Sequence, residues 1–134
     1  MPFQHFHTED TNLMIKDPIS GKLRHIPTKV FYAFDYESEP VDVSFGSDKE
    51  NIEYVSRFDR GELVNVCLKV TASTLGENGT DYLGACHVKA QGMEAEMLSM
   101  AIEHDMKNQA CIELKAKILF QYKVLRETLE DKTI

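Results

Sequence analysis

The stretch STLGENGTDYLGACHVKA, Ser73 to Ala90, holds Gly76, Gly79 and Gly84, the adjacent pair Cys86–His87, and Asp81. Glycine-rich loops bind phosphate through backbone amides, and Cys with His can hold a metal or form a nucleophile–base pair. Neither pattern is complete. A phosphate loop needs GxxxxGK and then Ser or Thr. Gly79 and Gly84 have that spacing, but Ala85 stands in the lysine position. The three glycines do not form GxGxxG either. Asn78-Gly79 instead predicts a hairpin tip, because both residues tolerate positive φ. On the returning strand, DYLGACHVKA, successive side chains point to opposite faces. Cys86 is then in phase with Tyr82, Val88 and Ala90 and reads as a small core hydrophobe. His87 is in phase with Leu83, Ala85 and Lys89 on a mixed face.

At the start of the chain, HFHTE offers a weak metal candidate. As a strand it would align His5, His7 and Glu9 on one face, and imidazole with carboxylate suits zinc, nickel or iron. No second ligand cluster stands at a diagnostic spacing, so no metal and no cofactor are expected. Nucleophilic catalysis has no support: there is no GxSxG elbow, and nothing in the spacing pairs Cys67 with a histidine. No catalytic residue is assigned. Two other groups could form surfaces. Met93, Met97 and Met100 fall on one side of a helix and could make an adaptable interface. Tyr32, Tyr36 and His87 could line a ligand pocket between sheet and helices.

These residues need elements to position them. LMIK and KLRHI flank Asp17-Pro18-Ile19-Ser20-Gly21, a turn whose proline presets φ and whose glycine allows positive φ. Pro27 is expected to break the chain, so that KVFYAFDY and VDVSF make the next pair of strands. The aromatic run Phe31, Tyr32, Phe34, Tyr36 occupies both faces of its strand, which calls for helices on one side and a partner on the other. SDKE is a capping box at Ser47, and Gly61 is the left-handed stop of the short helix that follows. ELVNVCLKVTAS is the clearest strand: Val64, Val66, Leu68, Val70 and Ala72 share one face. From Met93 to Ile134 there is no glycine or proline. MEAEMLSMAIEHDM is helical. Beyond it, Ile112 to Val124 alternate as a strand would, while Cys111, Leu114, Ile118, Tyr122, Leu125 and Leu129 keep helical spacing. The helix reading prevails because good helix formers dominate. An unbroken helix would be too long for a small compact domain. A break near Lys107-Asn108, or an extension that packs on another chain, is therefore expected.

The fold expected is α+β over residues 1–134: a mainly antiparallel sheet of about six strands, a short mid-chain helix, and C-terminal helices packed on one face. The chain has 134 residues, is 43% hydrophobic and 28% charged, and carries net charge −7. These values fit an ordinary globular domain. Nine acids against three bases lie between Asp35 and Glu62, and five bases against one acid between Lys107 and Arg126. The acidic whole argues against a surface that tracks nucleic acid, and no apolar run is long enough for a membrane span. Three scattered cysteines and no secretory signal suggest a cytoplasmic protein. The functional expectation is a non-enzymatic interaction protein, of adaptor or inhibitor type, that forms a homo-oligomer. The alternative is a small-ligand binder or minor enzyme using the pocket above.

Overall fold

The computed structural model describes residues 3–37 and 47–131. Among them the order is β1 (Gln4–Lys16), β2 (Leu23–Tyr36), α1 (Asp48–Asp59), β3 (Leu63–Thr74), β4 (Glu77–Lys89), α2 (Met93–Glu103) and α3 (Met106–Asp131). The strands form one antiparallel sheet in the order β1-β2-β3-β4. The fold is therefore α+β with a four-stranded sheet, where about six strands were expected.

The difference has two sources. KLRHI and KVFYAFDY are one strand, with Pro27 inside it opposite Asn12. The Pro27 carbonyl accepts from the Thr74 hydroxyl at 2.9 Å, so the residue's backbone polar side faces β3. Pairing of β2 with β3 runs only from Lys29↔Ser73 onward. The missing proline N–H therefore falls where the ladder has no partner for it, the position a strand tolerates. LMIK is likewise the end of the long β1. The expected strand VDVSF lies outside the described residues.

The first hairpin turn forms as its residues dictate. The Asp17 carboxylate accepts from the amides of Ile19 at 2.9 Å and Ser20 at 3.3 Å, and Gly21 takes φ +73°. Those two amides, with Arg24, hold the carboxyl below the usual range. The second hairpin is where the chain turns unexpectedly. Its tip is Leu75-Gly76, both at positive φ, with Thr74 paired to Glu77. Asn78 and Gly79 are already in β4. This is the two-residue turn that matches strand twist.

Gly79 has a different role. It lies opposite Ala72 on the helix-covered face. A Cβ there would stand 2.1 Å from the Ala110 carbonyl oxygen and 2.4 Å from the Leu114 amide nitrogen. The glycine lets the α3 backbone rest directly on β4, and Lys117 donates to the Asn78 carbonyl at 2.8 Å beside it.

Helices α2 and α3 cover one face of the sheet. Val30, Tyr32, Val66, Leu68, Val70 and Val88 meet Met97, Ala101, Met106, Ala110 and Leu114 there. The β3 alternation holds as the sequence reads. Two bulges re-phase the outer strands. One at Phe6 lies between His5 and His7; the other sets Gly84 and Ala85 opposite Cys67, with Ala85 at φ +54°. Helix α1 is capped by Ser47, whose Oγ accepts from the Glu50 amide at 3.2 Å, and Gly61 follows it at φ +76°. The helical run breaks at His104-Asp105, Asp105 taking φ +55°, and α3 then continues unbroken for 26 residues. Residues 111–125 are helix throughout.

Candidate functional site

The second bulge decides where the Cys86–His87 pair points. It puts Leu83 and Cys86 on the core face and leaves Tyr82 on the opposite, open face beside Lys69. The expected phase of Cys86 with Tyr82 is therefore broken, although Cys86 is buried and burial pushes its thiol up to about 11. His87 lies on the open side under α1. Its Nδ1 is 2.9 Å from the Tyr54 hydroxyl, and its ring meets Phe58 edge-on at 4.9 Å.

The pocket trio is not brought together. Tyr32 is 2% exposed on the helix-covered face, where its hydroxyl donates to Glu9. Burial first and Glu9 second raise its pKa far above the ordinary tyrosine range. Tyr36 lies exposed near the end of β2, edge-on to Phe34 at 5.5 Å. His87 is on the other side of the sheet from Tyr32, so one cavity between sheet and helices cannot take both.

The metal trio is divided in the same way. The bulge at Phe6 puts His7 beside Tyr32 on the helix side, with Glu9, and leaves His5 on the open face beside Phe31. Among the described residues no group of three or more His, Cys, Asp or Glu is placed to hold an ion. The methionines belong to the core: Met97 is fully buried, and Met93 and Met100 pack against it.

Burial of the His87 ring beneath α1 lowers its pKa. The neutral form is thus favoured on folding. Its contribution is fully present above the unfolded value of about 6.5 and is lost as pH falls through the lower folded value. An NMR titration of His87 is expected to give a midpoint below 6.5. The melting temperature of His87→Phe is expected to fall less between pH 7.5 and 5 than that of the parent protein. An equal fall would remove His87 from the acid response.

Among the described residues two open surfaces stand out. The first is the far half of α3. Leu114 and Ile118 face the core, and helical periodicity carries the same stripe on to Leu125 and Leu129. Past the β3–β4 turn the sheet no longer covers it: Leu125 is 59% and Leu129 56% exposed, with Phe120 and Val124 also exposed nearby. Those last turns project about 20 Å at 1.5 Å per residue. Helical spacing in the sequence marked Leu125 and Leu129, but not that the sheet ends before them. The second surface is a shallow hollow of about 570 Å³ on the open sheet face, with Phe31, Ala33, Thr71 and Ser73 among its lining residues. The sequence pointed to a covered Phe31, but the folding of Phe3 toward Tyr82, with centroids 6.0 Å apart, has no local signal.

No helix of the described residues is long and apolar enough to cross a membrane. Comparison with protein-family models, with curated proteins and with solved structures finds no match for this chain.

Proposed function

We propose that the chain is a non-enzymatic interaction protein that acts as a homodimer, joined through the projecting half of α3. The observation that carries this reading is the apolar stripe of Leu114 and Ile118 continuing, uncovered, through Leu125 and Leu129. A helix with a bare apolar stripe gains by burying it against a like surface. Each buried leucine contributes about 1.5–3 kcal/mol.

Light scattering at micromolar concentration is expected to give twice the mass of one chain. The double substitution Leu125→Glu, Leu129→Glu is expected to give a monomer with unchanged far-ultraviolet circular dichroism, because both side chains lie outside the core. A parent protein that scatters as a monomer would refute the reading.

A further inference from the structure

We propose that the open face of the sheet holds a nucleotide, its base stacked in the hollow over Phe31 and its phosphate at Lys69. The surface has three features that seldom meet by chance on a solvated sheet. The first is aromatic. Phe31 is partly exposed on β2, and Phe3 and Tyr82 stand together near Lys69. A flat ring can stack on such a surface whatever its edge pattern.

The second feature is a cation without a carboxylate. The Lys69 ammonium lies 5.2 Å from the Phe3 ring centre and 5.8 Å from that of Tyr82. Among the described residues no acid pairs with it. Of the described lysines only Lys29, Lys107 and Lys117 form an ion pair, so what sets Lys69 apart is its seat. This one is held on two rings and keeps its hydrogen-bond donors for an anion. Asp10, farther along the same face, is taken by Lys29 at 2.8 Å.

The third feature is the polar lining. Thr71 and Ser73 present hydroxyls, that of Thr8 is already hydrogen-bonded to His5 Nε2, and Asn78 lies at the margin. Hydroxyls and an amide can read the edge of a base or a ribose, whereas a purely apolar ligand would leave them unpaired. The hollow's volume is of small-molecule size, which runs about 300–1,000 Å³. A ring with an attached anion, hydrogen-bonded at its edge, describes a nucleotide.

The ligand could come free or as one unit of a single strand. The free form fits better. A strand needs a basic track for its further phosphates, and the chain carries net charge −7. This site does not depend on α3 pairing, since the hollow lies on the sheet face that α3 does not cover.

The test is a titration of the full chain, followed by amide NMR shifts and calorimetry. The probes are adenosine 5′-monophosphate, adenosine, and a short oligoadenylate. The monophosphate is expected to shift amides around Phe31, Lys69 and Thr71 and to bind about tenfold more tightly than adenosine. Lys69→Gln should erase that difference and leave adenosine unchanged. Phe31→Leu should weaken both about tenfold through lost stacking. Both side chains are outside the core, and an unchanged melting curve verifies each variant. An oligoadenylate that binds no more tightly than the monophosphate assigns the free nucleotide. One that binds a hundredfold more tightly, with steep salt dependence, overturns that assignment in favour of a strand. No shift in these amides at millimolar monophosphate, or equal binding by Lys69→Gln, overturns the site.

Discussion

Gly79→Ala is expected to lower the free energy of unfolding by about 3 kcal/mol, at the top of the range for overpacked sites. Glycine-to-alanine changes in extended backbone usually stabilise, by about 0.4–1 kcal/mol, because they restrict the unfolded chain. The sign reverses here because of what the methyl would meet. Its nearest neighbours are the Ala110 oxygen at 2.1 Å and the Leu114 nitrogen at 2.4 Å, both backbone. A flexible side chain could swing away; a helix backbone can only move as a body. Moving α3 off β4 also opens the contacts of Ala110 and Leu114, which are fully buried. Urea unfolding followed by circular dichroism measures the loss. A variant as stable as the parent would mean that α3 does not rest on β4 at this distance.

Leu114→Ala is expected to cost about 2–5 kcal/mol, the range for truncating a fully buried leucine. The side chain is 0% exposed and belongs to the main core cluster. Combining the two substitutions separates their causes. Alanine at 114 keeps the backbone nitrogen and the Cβ, so the obstruction to a methyl at position 79 remains. The double variant should therefore lose most of the sum, with only a modest coupling from the shared neighbourhood. If Leu114→Ala instead restored the stability lost in Gly79→Ala, the conflict would lie in the leucine side chain, and the account of a backbone contact would fail.

What the sequence revealed depended on whether the deciding interaction was local. Ser47 with Glu50, and Gly61, act within one turn of chain, and both caps form where they are read. The alternation of Val64 to Ala72 answers only to the pleat, and it holds. In residues 111–125 two periods competed, and the helical one prevailed because no turn residue or proline interrupts the run. The misplacements all turn on a neighbour far along the chain. Pro27 is tolerated because β3 ends beside it, which nothing near Pro27 announces. Asn78-Gly79 has the composition of a turn, yet the turn forms three residues earlier at Leu75-Gly76, and Gly79 lies beneath α3 instead. The bulges at Phe6 and at Gly84-Ala85 shift the phase of everything beyond them. Those single-residue insertions, rather than any error in residue type, separate His5 from His7 and Cys86 from Tyr82. They also explain why Tyr32 and His87, each reasonable as a pocket residue alone, finish on opposite sides of the sheet.

The strand order β1-β2-β3-β4 pairs every strand with its immediate successor in the chain. Each ladder can therefore close on a strand that has just been made, across a short turn or, once, across the segment containing α1. Closing short loops carries a small entropic cost, and proteins rich in such near-neighbour contacts reach the native state quickly for their size. The same holds for the last step, because α3 docks chiefly on β4, the strand preceding the helices. A growing chain can thus complete its sheet before its last helix exists. Until that helix arrives, the core face that carries Val30, Val70 and Val88 is incompletely covered, and the interval before α3 docks is when the chain is most exposed to aggregation.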